Sequence, residues 1–203
     1  MPRPCNKALD LGFCNRYIIY MTTHDHTDPK PAGVLLDHAQ VIEESCSSLP
    51  ALDLACGSGR NGIYLARQGM KVVFADISFD KLNVLHHAVR DLSDRVLICR
   101  VDMEKDGLDV LKPGSFGAVL VFRYLYRPLI PFIKDLLVPG GVLVYETFTV
   151  DQPKFGKPNN PDFLLNPGEL EGWFGSWEVL HRFEGVQEHP RQAVANIVCR
   201  KPG

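Results

Sequence analysis

The stretch that most constrains the fold is residues 52–62, which read LDLACGSGRNG. An apolar run, typical of a strand, enters a glycine-rich turn, and the apolar spacing of a helix follows until about Gly69. Glycines let the backbone approach a ligand closely, and a helix N-terminus offers free N–H groups to an anionic group. The stretch therefore predicts the opening strand, turn and helix of a nucleotide-binding α/β domain.

The spacing Gly57-x-Gly59-x-x-Gly62 also fits a dinucleotide-binding protein, or a tight turn without a ligand. Asp53 separates these readings, because it lies inside the first strand, where dinucleotide-binding proteins are usually apolar. The pattern D-x-A-x-G-x-G resembles motif I of the class I S-adenosylmethionine (SAM)-dependent methyltransferases. Ala55 stands where that motif usually has its first glycine, and alanine also leaves room for a ligand.

Acidic residues end the next two predicted strands. The second strand ends at Asp76, about twenty residues past the glycine turn, where a carboxylate accepts hydrogen bonds from both ribose hydroxyls. Ile77 follows it and is predicted to lie along the adenine ring. The third strand ends at Asp102 and Met103, which are predicted to contact the adenine amino group and ring. A turn or helix-capping role is the alternative for Asp102.

The resemblance covers about residues 32–201 and includes the LVPGG turn before the fifth strand. It implies a Rossmann-like α/β fold with a seven-stranded, mostly parallel sheet, an antiparallel last strand and helices on both faces. We expect a methyltransferase domain at 32–203 after a flexible N-terminal extension at 1–31. The cofactor implied is SAM. The residues predicted to bind it are Asp53, Ala55, Gly57, Gly59, Arg60, Asn61, Asp76, Ile77, Asp102, Met103 and Phe122.

The segment RYLYRP, residues 123–128, follows the fourth strand at the rim where the transferred methyl group is expected. Tyr124, Arg127 and Glu146 are the candidate catalytic residues. Arginine binds anions through its forked donors, aromatic rings contact a sulfonium, and Glu146 is the candidate base by its position. The alternative for Tyr124 and Arg127 is that they anchor the following helix. The proline-rich stretch 149–168 is predicted to form a lid over the substrate.

Methyl transfer from a sulfonium needs alignment of the reacting atoms in a dry pocket, and a soft or anionic nucleophile needs no general base. We therefore predict a small-molecule acceptor with such a nucleophile. Within class I, the chain resembles the bacterial tellurite-resistance and thiopurine S-methyltransferase-like enzymes. The alternatives are a SAM-binding or partner-binding protein without activity and, with less support, an NAD(P)-dependent oxidoreductase.

The composition of the chain limits the kinds of binding partner that we expect. The net charge of −2 and the lack of a basic run argue against nucleic acid, and no apolar run is long enough to cross a membrane. Six scattered cysteines without a CxxC pair are typical of reduced thiols in a cytoplasmic protein. We expect a monomer or homodimer and no metal, since His24-x-His26 lies in a polar terminus. Met21 is a candidate initiator.

Overall fold

The computed structural model describes residues 30–105 and 110–203. The predictions for the N-terminus therefore fall almost wholly outside the described residues. These are the extension at 1–31, the initiator at Met21 and the weak metal motif at His24-x-His26. Among the described residues, no helix combines the length and hydropathy needed to cross a bilayer.

One twisted sheet organises the described part of the chain. Its seven strands lie in the order β3-β2-β1-β4-β5-β7-β6. The strands β1 to β5 run parallel, β7 is antiparallel to β5, and β6 pairs with β7 as a hairpin. The predicted Rossmann-like fold is therefore confirmed. The strands are β1 (Ala51–Leu54), β2 (Val72–Asp76), β3 (Val96–Arg100), β4 (Phe116–Phe122), β5 (Leu137–Phe148), β6 (Glu178–Glu188) and β7 (Arg191–Arg200).

Helices cover both faces of the sheet because the central strands are apolar on both sides. One core lies under α5 and α6, and the other lies under α1 to α4. The helices are α1 (Gly33–Asp37), α2 (Ala39–Ser45), α3 (Arg60–Arg67), α4 (Phe79–Ala88), α5 (Ile130–Leu136) and α6 (Glu169–Phe174).

Several boundaries that the apolar spacing of the sequence predicts differ from the structure. The fifth strand, predicted to begin at Val142 after the LVPGG turn, begins at Leu137, and its pairing with β4 shifts register between Phe116 and Ala118. The helix expected over 32–46 is broken at His38, whose φ of −120° is not helical and whose Nδ1 lies 2.8 Å from the Val34 carbonyl oxygen. The helix expected over 79–92 ends at Ala88, and a short 3-10 turn follows. The strand expected over 177–184 continues to Glu188, because it pairs with β7 along its whole length.

The topology brings the site together at one edge of the sheet. Parallel strands β1 to β5 all end at this edge, so the turns after them are neighbours. The β6–β7 hairpin reaches the same edge, since Phe148 at the end of β5 pairs with Val194 near the start of β7. Side chains from turns far apart in sequence therefore share one rim.

Candidate cofactor and acceptor site

The glycine turn is shaped by contacts on its inner side. A Cβ added at Gly59 would lie 2.5 Å from Leu85 Cδ1, and one at Gly62 would lie 2.3 Å from Phe74 Cε1. These two glycines therefore let α3 pack closely on β2 and α4. Gly57 has a left-handed φ of 58°, and a Cβ there would meet only Lys81 Cδ, at 3.7 Å. The turn is thus closed toward the core and open above Gly57, as a ligand cradle requires.

Asp76 joins the glycine turn to the end of β2. Its Oδ2 accepts a hydrogen bond from the Gly57 amide at 2.7 Å, and its Oδ1 accepts one from the Ser78 amide at 2.8 Å. A carboxylate has about four lone-pair sites, so both oxygens keep acceptor capacity for ribose hydroxyls. Beside it, Ile77 is 52% exposed and offers an apolar surface to a planar ring. These residues fit an adenosine moiety.

Asp53 lies beneath the turn. It is 2% exposed, and its Oδ2 accepts a hydrogen bond from the Gly62 amide at 2.9 Å. Burial raises the pKa of Asp53 to about 7, although the bond from Gly62 and the Arg60 charge oppose that shift. The side chain therefore supports the turn from the core side.

Arg60 and Asn61 begin α3 and have different surroundings. Asn61 is buried, and its Oδ1 accepts a hydrogen bond from the Ala32 amide at 2.9 Å, so it ties α3 to the start of α1. Arg60 points to the rim and lines the larger of the two clefts described below. Ala55 has a φ of 53°, the left-handed conformation that glycine adopts most easily.

The residues at the ends of β3 and β4 make turn and packing contacts. Asp102 Oδ1 accepts a hydrogen bond from the Glu104 amide at 3.0 Å, and Oδ2 lies 3.5 Å from Lys105 Nζ. These contacts fit the turn role that is the alternative for Asp102, and its predicted contact with adenine stays a prediction. The side chains of Met103 and Phe122 are buried in the cores on opposite faces of the sheet.

Two clefts open at this rim. The apolar cleft has a volume of about 730 Å³, and the polar cleft has a volume of about 770 Å³. Arg123 borders both. The apolar cleft is walled by Tyr124, Leu125, Phe148, Pro158 and Phe163. The polar cleft includes Arg60, Glu146, His181, Gln187 and Asn196.

Arg123 is held in an unusual conformation between the clefts. Its φ is 58°, which is uncommon for a residue with a side chain. Its Nη2 lies 3.1 Å from Glu146 Oε1, and its guanidinium carbon lies 4.3 Å from the centre of the Phe148 ring. Burial lowers the pKa of Arg123, against the attraction of Glu146. Its buried Nη1 has no hydrogen-bond partner among the described residues.

Glu146 is the anchor of a polar network. Its Oε2 accepts hydrogen bonds from Asn196 Nδ2 at 3.1 Å and Gln187 Nε2 at 3.4 Å. Asn196 Oδ1 lies 3.0 Å from His181 Nε2, which must donate because an amide oxygen only accepts. Both carboxylate oxygens are therefore engaged. Sequence reasoning missed Asn196 and His181. The single signal was a polar residue inside the apolar run AVANIV, residues 193–198.

Arg127 ties a loop to α6 through four hydrogen bonds. Its guanidinium donates to both Glu169 carboxylate oxygens, at 2.6 and 2.9 Å. It also donates to the carbonyl oxygens of Asp162 and Leu164, at 3.2 and 2.9 Å. The structure thus gives Arg127 an anchoring role. Tyr124 lines the apolar cleft, and burial raises its pKa above the ordinary value.

Residues 151–164, here named the cover loop, form the roof of the apolar cleft. At its base, the Val150 amide donates to the Leu165 carbonyl at 3.0 Å, and the Leu165 amide donates to the Phe148 carbonyl at 2.9 Å. Buried Gln152 accepts a hydrogen bond from the Ala193 amide and donates one to the Lys157 carbonyl. The loop is therefore closed at its base and fixed to the sheet.

Comparison with known proteins agrees with this arrangement. Residues 51–141 match the family model described as "Methyltransferase domain". A probable S-adenosyl-L-methionine-dependent methyltransferase, TehB of Haemophilus influenzae strain Rd, is 26% identical over 175 residues. The match covers 83% of this chain and 56% of TehB, so the chain spans little more than half the length of this curated relative.

Solved structures share the fold. The crystal structure of TehB from Haemophilus influenzae has a TM-score of 0.67 and 21% identity, and covers 84% of this chain and 62% of that one. An S-adenosylmethionine-dependent methyltransferase from Mesorhizobium loti has a TM-score of 0.64 and 15% identity, with 83% and 98% coverage. The matched domain, the motif I turn and the sheet order together show that the chain is similar to SAM-dependent methyltransferases and shares their fold.

Proposed function

We propose that this chain transfers the methyl group of SAM to a small-molecule acceptor that carries a soft or anionic nucleophile. The observation that carries the proposal is a hydrogen bond, from the Gly57 amide to Asp76, at the edge where Arg123 presents an unpaired donor. The nucleotide cradle and a cation for the acceptor thus share one rim. The net charge of −2 supports a small molecule over nucleic acid.

The cofactor-holding roles follow from the donors and acceptors present. Asp76 would accept from the ribose hydroxyls, the backbone at Gly57 would face the methionine portion, and Ile77 would cover the adenine. Arg60, at the polar cleft, would bind the methionine carboxylate. When bound, SAM would supply a methyl group activated by its positively charged sulfur, and SAH would be the product that leaves.

The chain's own contribution is orientation, exclusion of water and charge. Arg123 places a guanidinium N–H beside the cleft in which an anionic acceptor would bind, and the bound acceptor would displace water from that cleft. Glu146 is engaged by Arg123, Asn196 and Gln187, so we assign it to holding Arg123 in place. An anionic nucleophile needs no proton removed, which is consistent with a carboxylate used in this way.

Two measurements test the proposal. Calorimetric titration with S-adenosylhomocysteine (SAH), the demethylated product, should give one site per chain, while NAD⁺ should give no binding. Radiolabelled SAM incubated with thiols, selenite, tellurite, phenols and carboxylates should then label at least one acceptor. Binding of NAD⁺ without SAH would contradict the cofactor assignment. Tight SAH binding with no labelled product across the panel would favour a SAM-binding protein without activity.

A further inference from the structure

We propose that the acceptor is an organic anion with an apolar, ring-sized body, which lies in the apolar cleft with its anionic group on Arg123. This inference rests on the proposed function and narrows its substrate class. It separates an amphipathic organic molecule from a small inorganic oxyanion, although both satisfy the requirement for an anionic nucleophile.

The size and lining of the apolar cleft carry the first step. About 730 Å³ lies within the range of pockets that enclose small organic ligands, roughly 300–1,000 Å³. Three aromatic side chains, those of Tyr124, Phe148 and Phe163, wall it together with Leu125 and Pro158. Phe163 is 52% exposed although it lies at this wall. A ring inserted here would bury aromatic surface that is now in contact with water.

The charges at the cleft carry the second step. Arg123 borders the cleft, stacks one guanidinium face on Phe148 and has an Nη1 without a hydrogen-bond partner among the described residues. Lys157 also lines the cleft, whereas Glu104 supplies one negative charge and lies 3.5 Å from the Tyr124 hydroxyl. An unpaired cationic donor thus adjoins an apolar wall of the cleft.

The roof of the cleft carries the third step. Arg127 holds Glu169 and the carbonyl oxygens of Asp162 and Leu164, so the residues next to Phe163 are fixed. A preformed apolar cavity lowers the cost of ordering when an apolar body binds. A small inorganic anion would reach Arg123 and leave these walls unused. The geometry therefore favours an acceptor that uses the cation and the walls together.

The test compares matched probes on the full chain saturated with SAH. Naphthalene-2-carboxylate has a ring body and a charge, its carboxamide has only the body, and acetate and selenite have only the charge. We expect naphthalene-2-carboxylate to bind about tenfold more tightly than each of the other three, measured by calorimetry. Equal or tighter binding of selenite or acetate would overturn the proposal.

Two variants locate the binding. Phe163→Ser should weaken naphthalene-2-carboxylate binding about fivefold and leave selenite binding unchanged, because only the ring contacts that wall. Arg123→Met should remove the preference for the carboxylate over the carboxamide. The matched control is Phe79→Ser, since Phe79 is also exposed, at 45%, but lines neither cleft. An unchanged affinity in Phe163→Ser would place the probe elsewhere and overturn the proposal.

Failure of the two proposals can be told apart. SAH is titrated first, into wild-type protein alone. If SAH does not bind, the proposed function is wrong and this inference is wrong with it. If SAH binds and the naphthalene probe shows no preference, the proposed function stands and only the apolar-body inference is overturned.

Discussion

Arg123 and Glu146 are linked twice at the adjacent ends of β4 and β5. Their side chains form an ion pair, with Nη2 3.1 Å from Oε1, and the Arg123 amide donates to the Glu146 carbonyl at 2.9 Å. The Glu146 side chain is 5% exposed, so the pair is largely removed from water. The carboxylate binds one side of the guanidinium, and the buried donor at Nη1 has no hydrogen-bond partner among the described residues.

Loss of the Glu146 carboxylate should destabilise the chain strongly. Glu146→Ala leaves the part-buried Arg123 charge without its counter-ion, and removing one member of a buried pair costs about 3 kcal/mol. We expect the free energy of unfolding in urea to fall by about that amount, and Glu146→Gln to lose less because the amide oxygen still accepts.

The exposed pair of Asp151 and Lys154 provides the control. Its Oδ1–Nζ distance is 2.6 Å, but both side chains are more than half exposed. Asp151→Asn should therefore change the free energy of unfolding by less than about 1 kcal/mol. Similar losses in Glu146→Ala and Asp151→Asn would show that the buried pair is not a structural anchor.

The Arg127–Glu169 clamp should control the mobility of the cover loop. Arg127→Met removes four hydrogen bonds to Glu169, Asp162 and Leu164. We expect amide hydrogen exchange at Val150 and Leu165 to accelerate about tenfold, because opening of the loop becomes less costly. The KM for an acceptor should rise more than kcat falls.

The clamp also predicts a pH dependence. Burial alone would raise the pKa of Glu169, but the hydrogen bonds from Arg127 and Asn166 outweigh it and lower that pKa. The stabilisation by Glu169 is therefore present above the unfolded pKa and is lost only as the pH falls through the lower, folded pKa.

The control for the hydrogen-exchange experiment is Arg182→Met, which removes an exposed ion pair with Glu171. Equal amide exchange rates at Val150 and Leu165 in Arg127→Met and Arg182→Met would contradict the role of the clamp.

Asp53 should make the fold less stable as the pH rises. Burial raises its folded pKa to about 7 from an ordinary 3.8, so the folded state holds a proton that the unfolded state has released. The stabilisation that comes from this proton is fully present below the unfolded pKa and is lost as the pH rises through the folded pKa. Relative to Asp53→Asn, wild type should lose about 1–3 kcal/mol between pH 5 and 8.

Chemical denaturation of both proteins at each pH measures this difference. Asp80→Asn, which removes an exposed carboxylate on α4, should keep the wild-type dependence on pH. If the free energy of unfolding changed with pH equally in wild type and Asp53→Asn, the raised pKa of Asp53 would be contradicted.

Gly62 should tolerate no side chain. A Cβ there would lie 2.3 Å from Phe74 Cε1 and 2.9 Å from Asp53 Oδ2, so Gly62→Ala should cost about 1–3 kcal/mol of unfolding free energy. Gly172 lies inside α6 with no atom within 4 Å of an added Cβ. Gly172→Ala should therefore stabilise the chain by about 0.5–1 kcal/mol. Thermal denaturation compares the two, and a neutral Gly62→Ala would contradict the close packing of α3.

Local patterns in the sequence were sufficient to predict the fold and the meeting of the glycine turn with Asp76. The glycine turn and Asp76 lie within 25 residues of each other, and each is marked by its own strand, so their meeting was predictable. Apolar runs on β1 to β5 likewise predicted a sheet covered on both faces. The break at His38 was not predictable, because it depends on a dihedral angle and a side-chain contact that no apolar spacing records.

The acceptor side depends on contacts that are remote in sequence. Arg127 binds Glu169, 42 positions away, and Glu146 binds Asn196, 50 positions away. The position of Arg127 at the rim after β4 predicts that it binds an anion. That position does not identify which neighbouring residue binds its guanidinium. The catalytic assignments for Tyr124, Arg127 and Glu146 remain predictions, and the structure supports anchoring roles for the latter two.

The most direct test of the account is the affinity for SAH of Asp76→Ala, measured by calorimetry beside wild type and the Asp80→Ala control. Asp76 joins the glycine turn to the end of β2 and is the proposed ribose acceptor. Losing hydrogen bonds to a charged group typically costs about 1.5–3 kcal/mol, so Asp76→Ala should bind SAH about 10- to 100-fold more weakly. Asp80→Ala should bind as wild type does. Wild-type affinity in Asp76→Ala would contradict the cofactor site, and with it the placement of the reaction at this edge of the sheet.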